Sequence, residues 1–334
     1  MFKKLLKKVL KKVLPPSIIQ LLKKMVKPFE EGNPLNEHKV IVSCPHCNAA
    51  EYQYIYSDLK IAKCKACDLI YARVRYGDEY WADHYSNAYL EGAEEVQYDN
   101  VFAPKDAVSA LLTENDFSWF EQQARDAIPH FIEAFNTTPE ALQNKKFLEV
   151  GTGWGRILLT AKQLGMEPVG YEICLPNCKL GNDLGLDIRH EDFSKAVVAS
   201  NCFEYIYLFH SLEHFVNPTE YLKAIYESCA PEGYIYISVP NFDCFWHEML
   251  ETEWPWLSPD GHLTQFTTET LKMVVQDAGF TVLSCTTEMD TNPTGCNYDV
   301  AAKHLKKSGP DIVDFLTELN GESKGESIVL LGRK

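Results

Sequence analysis

No run in this 334-residue chain approaches the roughly 20 consecutive apolar residues that cross a bilayer, which argues against a spanning helix. The Met-Phe-Lys-Lys start has neither the uninterrupted apolar stretch nor the small-residue cleavage site of a secretory signal. There is no internal repeat, and beyond the lysine-rich start no low-complexity tract, which excludes solenoid and fibrous architectures. Acidic residues are missing from the first 29 positions, which hold nine lysines. The remaining residues carry 23 basic against 47 acidic side chains, a balance of −24. A body that acidic repels polyphosphate, so nucleic acid is a poor partner and a small or locally neutral acceptor fits better. Eleven cysteines without a secretory start point to a reduced, cytoplasmic setting in which thiols are free to bind metal.

An apolar content of 46% marks a core-forming chain, long enough for one domain of about 200 residues with smaller appendages. Residues 1–29 read as a basic amphipathic helical segment broken at Pro15 and Pro16. Such a segment either contacts an anionic membrane peripherally, at its inner face, or forms a solvated or partner-packed helix. Residues 39–75 are short β-like runs around paired cysteines. Residues 76–145 read as an aromatic-rich helical lid, with Tyr76, Tyr80, Trp81, Tyr85, Tyr89 and Tyr98. From residue 146 to 334 strands and helices alternate: Phe147–Val150, Glu167–Glu172, Asp187–His190, Tyr205–Phe209, Tyr234–Val239, Thr281–Thr286 and Ser327–Leu331 are the expected strands. That alternation predicts a doubly wound, mostly parallel α/β sheet.

The strongest motif is Phe147-Leu-Glu-Val-Gly-Thr-Gly-Trp-Gly155, an apolar strand running into three alternate glycines and then a helix. Gly151 permits a tight turn, Gly153 lets a ligand approach the backbone, and Gly155 brings helix and strand together. The G-x-G-x-G spacing differs from the G-x-G-x-x-G that cradles a pyrophosphate, which favours a ligand without phosphate. Glu172 ends the next strand, where a carboxylate can accept from both ribose hydroxyls. Asp192 follows the third strand and can accept from an adenine amino group.

With FLEVGTGWGRI, VGYEIC, HEDF, LFHSLEHFVNP, GYIYISVPN and HLTQFTTETLKMVVQDAGF, residues 76–334 resemble the class I S-adenosylmethionine-dependent methyltransferases, in the subgroup of ubiquinone-biosynthesis-like enzymes. The resemblance implies a Rossmann-like seven-stranded sheet whose last two strands are antiparallel. It implies that the loop with Glu149, Gly151, Thr152, Gly153 and Gly155 packs against the methionine part of the cofactor. Glu149 then sits near the ammonium or orders the loop, Glu172 holds the ribose, and Asp192 with Phe193 holds the adenine. His210 and Ser211 line the methyl region.

Transfer to a hydroxyl also calls for a base. His214, after the fourth strand, and His262, after the fifth, are the candidates, or else buttresses of the site; Glu213 is expected to cap or support the helix. The aromatic loop of residues 241–247, with Trp254 and Trp256, is expected to wall the acceptor pocket. Ahead of this domain, Cys44, Cys47, Cys64 and Cys67 form C-x2-C-x16-C-x2-C, the pattern of a zinc ribbon with a closed, structural site. Zinc modules also precede this domain in C-methyltransferases of nucleotide-linked deoxysugars, which carry a further C-terminal domain not seen here. The expected activity is methyl transfer to a small-molecule or glycan acceptor, at a hydroxyl of a sugar or nucleotide sugar. Sugar C-methylation and a non-catalytic, cofactor-binding adaptor are the alternatives.

Overall fold

The computed structural model describes residues 39–76, 104–289 and 310–334. The basic segment 1–29 and Tyr80, Trp81, Tyr85, Tyr89 and Tyr98 lie outside the described residues. Two C-x2-C turns, each with an asparagine or aspartate in the left-handed region (Asn48, φ 58°; Asp68, φ 63°), punctuate five short strands. These are β1 (Lys39–Ile41), β2 (Tyr52–Tyr56), β3 (Ile61–Cys64), β4 (Ile70–Ala72) and β5 (Val74–Tyr76). Strands β2, β3 and β4 pair antiparallel, and β1 pairs with β5.

Beyond the ribbon, β6 (Lys146–Val150), β7 (Glu167–Glu172), β8 (Ile188–His190), β9 (Phe203–Phe209) and β10 (Cys229–Pro240) are parallel neighbours. They are largely apolar on both faces, as strands covered on both sides must be. In β9, Tyr205 and Tyr207 join one core and Ile206 and Leu208 the other. After β10 come β11 (Thr264–Gln265), β12 (Thr281–Glu288) and β13 (Ser327–Arg333). The sheet order is β12-β13-β10-β9-β6-β7-β8. Strand β13 is antiparallel to both neighbours, so β12 runs with the parallel strands and β13 alone is reversed. The expected seven-stranded, doubly wound α/β fold is present. Its order turns around at β6, and in open α/β sheets ligands bind outside the carboxyl ends at such a switch point.

Helices α1 (Lys105–Glu114), α2 (Ser118–Ala134), α3 (Arg156–Gln163) and α4 (Leu175–Asp183) cover one face and share one core. Phe120 and Phe131 of α2 are fully buried, and Phe131 meets Phe147 at 5.3 Å between ring centres and Tyr207 at 6.3 Å. Helix α2 falls within the stretch read as a lid, yet its apolar stripe is packed against the sheet. On the other face lie α5 (Pro218–Ser228), capped by Asn217 accepting from the Glu220 amide, and later α7 (Thr268–Asp277), opened by a Thr267–Thr270 capping box. Between them, α6 (Phe245–Leu250) leaves β10; α8 (Pro310–Gly321) precedes β13. Ile312, Leu316 and Leu319 of α8 share a third core with Trp246 and Trp254.

The ribbon docks on the α5–α7 side, where Cys44, Cys64, Leu69 and Tyr71 enter the same core as Leu222, Ile225 and Val274. Strand β11 completes the ribbon sheet by pairing with β4, with Thr264 opposite Tyr71. No helix among the described residues is long and apolar enough to cross a membrane.

Candidate functional site

The glycine loop leaves β6 with Gly151 at φ 77°, Gly153 at 56° and Gly155 at 91°. A Cβ at Gly151 would stand 2.7 Å from the Cβ of Ser211, so this turn is closed to larger residues by sterics as well as by φ. A Cβ at Gly153 would meet nothing within 4 Å. The backbone there faces open space, the geometry a closely approaching ligand requires. Gly155 caps α3, and Trp154 between them is buried edge-on against Phe120 at 5.1 Å.

Two carboxylates bracket the loop. Glu149 is only 4% exposed, and Thr152 Oγ1 donates to it at 2.7 Å. Burial pushes its carboxyl up to about 8, so it holds its proton near neutrality. Glu172 accepts from the backbone N–H of Gly153 and of Cys174, each at 2.8 Å, one on each oxygen. Burial raises its pKa, against the pull of those amides. Each oxygen keeps further acceptor capacity, as two vicinal hydroxyls would need.

Asp192 caps the short turn Phe193–Lys195, accepting from the Ser194 amide at 3.0 Å and its hydroxyl at 2.8 Å, and from Tyr221 O–H. Burial opposes its ionisation, but these donors outweigh it and hold the carboxyl below its usual range. Its Oδ1 is therefore engaged, and Oδ2 lies 3.6 Å from Lys195 Nζ. Phe193 is buried edge-on to Tyr171 at 5.0 Å.

After β9 the chain turns through His210, itself left-handed at φ 48°, into the turn Leu212–His214. The loop after β10 returns His262 to this point, where its ring lies 4.7 Å from that of His214. His214 donates from Nδ1 to Gly261 O at 3.0 Å, and His262 from Nδ1 to Trp256 O at 2.8 Å. Trp256 stacks on His262 at 5.5 Å with planes 9° apart, and it also borders His210. Burial pushes the His262 imidazolium down to about 4, which keeps this ring neutral. Glu213 does not cap the turn: Ser211 occupies the cap position, and the Glu213 side chain is 1% exposed without a hydrogen bond to either oxygen. His210 Nδ1 lies 3.5 Å and His214 Nε2 3.9 Å from its Oε1. The expected capping role is thus corrected, because folding inserts this side chain among three histidines. The adjacent Glu-His pair is visible in the sequence, but its meeting with residue 262 comes from tertiary structure.

The strand order, the switch point and the open glycine loop together mark the ligand-binding end of this α/β sheet. Residues 120–285 match the model of a family described as a methyltransferase domain. This segment is a methyltransferase domain. The protein is an enzyme built around that domain. A comparison with curated proteins returns no match. Among solved structures, an S-adenosylmethionine-dependent methyltransferase from Mesorhizobium loti is similar at 12% identity and TM-score 0.43, covering 59% of this chain and 95% of its own. One from Archaeoglobus fulgidus is 17% identical at TM-score 0.44, covering 61% and 98%.

The four ribbon cysteines of the methyltransferase also converge. Cys44 and Cys67 Sγ are 3.5 Å apart, Cys47 and Cys64 Sγ 3.6 Å, and all four lie within 4.8 Å of one another. Thiolates on a tetrahedral zinc at about 2.3 Å stand about 3.8 Å from each other, so the set fits that ion. The Ala66 amide donates to Cys64 Sγ at 3.4 Å. His46 points elsewhere, to Thr219 Oγ1 at 2.8 Å and Asp277 at 3.0 Å, and so ties the ribbon to α5 and α7.

Proposed function

We propose that this methyltransferase acts on a hydroxyl of a small-molecule or glycan acceptor, a sugar or nucleotide sugar. The observation that carries the reading is the half-open Trp256 ring, 39% exposed and stacked beside His262, His210 and His214. A flat aromatic ring next to imidazoles suits the C–H face of a sugar while its hydroxyls reach polar atoms.

On the cofactor side, the loop of Gly151, Thr152, Gly153 and Gly155 would hold the methionine part, with Glu149 beneath it. Glu172 would hold the ribose, Asp192 and Phe193 the adenine, and His210 the wall near the methyl group. Bound there, S-adenosylmethionine supplies an electrophilic methyl on sulfur. The chain's own residues align the acceptor, exclude water and receive its proton. His214 Nε2 is the better placed base, because its side chain keeps contact with solvent whereas His262 is sealed. His262 then buttresses it. Zinc on Cys44, Cys47, Cys64 and Cys67 would be structural, and residues 1–29 would bring the enzyme to an anionic membrane surface.

A mass-spectrometric screen of nucleotide sugars, lipid-linked glycans and free phenols with the full-length enzyme tests the acceptor. A gain of one methyl on sugar hydroxyls is the expected product. Methylation confined to non-sugar acceptors, or at carbon, would replace this reading, and absence of turnover with intact cofactor binding would favour the adaptor.

A further inference from the structure

The Glu213–His214–His262 cluster has a property that a proton relay does not need. The carbonyl partners Gly261 O and Trp256 O take Nδ1–H from both imidazoles, so in the neutral ring each Nε2 is the atom with the lone pair. Within 4.8 Å of both rings' ligand atoms sits the Glu213 carboxylate, 1% exposed and accepting no hydrogen bond on either oxygen. Among the described residues His210 also stands close, its Nδ1 3.5 Å from Oε1 and beyond hydrogen-bond geometry. A buried carboxylate facing acceptor atoms is costly, and a cation among them relieves that cost.

We propose that Glu213, His214 and His262 bind a divalent first-row transition-metal ion. One donor atom from each of the three lies within 4.8 Å of the others. Around an ion at about 2.0–2.1 Å, tetrahedral donors stand roughly 3.4 Å apart, so the 3.9 Å between His214 Nε2 and Glu213 closes by about half an ångström. The widest separation in the set, at most 4.8 Å, closes by no more than about 1.4 Å. Backbone carbonyls on the far nitrogens are the usual supports of metal-bound histidines, since they set the tautomer and the ring direction. Two imidazoles with one carboxylate suit zinc, iron, cobalt or manganese, whereas magnesium prefers an all-oxygen shell. Three protein ligands leave a position for an outside oxygen. The site stands on this geometry and not on the identity of the acceptor; with the ion bound, the histidines serve as ligands rather than as bases.

The test uses full-length enzyme stripped of metal and titrated with cobalt(II). Two equivalents are expected: one adds the intense thiolate-to-cobalt charge-transfer band of the four cysteines, the other only weak ligand-field bands. In the double variant His214→Asn, His262→Asn, checked for folding by circular dichroism, one equivalent is lost and the thiolate band is unchanged. Retention of two equivalents by that variant overturns the site. If the variant does not fold, the wild-type titration decides alone, and saturation at one thiolate-bound equivalent overturns it. Metal content is read without turnover, so a failed acceptor screen leaves this result standing.

Discussion

Glu149 meets water through 4% of its surface and keeps one side-chain partner, Thr152. Its pKa rises from 4.5 to about 8 on folding, so between those values the folded chain binds the proton more tightly than the unfolded chain. The stability this group contributes is complete below about 4.5 and is lost as pH rises through about 8. Chemical denaturation of the cofactor-free enzyme should show its midpoint falling over that interval, and Glu149→Gln should flatten the fall. A cofactor ammonium beside Glu149 should also expel its proton at neutral pH. Calorimetry in buffers of different ionisation enthalpy would detect the release, and an identical heat in all buffers would refute the placement. For Glu172, replacement by alanine removes the acceptor for the Gly153 and Cys174 amides and for any ribose hydroxyl. Cofactor affinity should fall roughly ten- to a hundredfold, about 1.4–2.8 kcal/mol, with unchanged affinity counting against the site. The glycine loop was legible because positive φ leaves few residue choices. The environment of Glu213 was not, because its third histidine, His262, comes from 49 residues further along the chain.

Among the elements, α2 shows how composition misleads about position. Its aromatic residues suit a lid as well as a core, and only the register of Phe120, Ala124, Ala127 and Phe131 on one face separates the two. That face is buried against β6 and β9, so Phe131→Ala should cost about 3–5 kcal/mol in urea unfolding. A loss within 1 kcal/mol or so would mean that the helix is peripheral. The strands of the sheet were readable from their apolar runs, and β13 from its place after a long helical insertion. Strand β11 was not, because two residues carry no periodicity and Thr264 and Gln265 are strand only through β4. The sequence pattern marked the ribbon and the α/β domain as separate modules, whereas their contact depends on a pairing between residues 193 positions apart.

At the scale of the whole molecule that pairing joins the ribbon to the histidine cluster. The Ala72 amide donates to Leu263 O at 2.9 Å, one residue from His262. Replacing Cys44 by serine should release zinc, loosen β4 and raise hydrogen exchange at Ala72 and along residues 261–265. Full metal retention, or protection unchanged after metal loss, would count against the coupling. Excising residues 39–76 should do more than remove an appendage. It leaves β11 without a partner and uncovers the apolar patch under Leu69 and Tyr71, so the truncated enzyme should aggregate where the intact chain stays dispersed on gel filtration.

Because β11 belongs to both modules, influence between them runs in both directions. If thiolate-bound metal steadies the loop of His262, then whatever that loop grips must in turn tighten the hold on the thiolate-bound metal, by the same factor. An acceptor lodged beside Trp256 would then slow the escape of an ion it never touches, and chelator-driven metal loss, timed with and without acceptor, becomes a remote gauge of substrate binding.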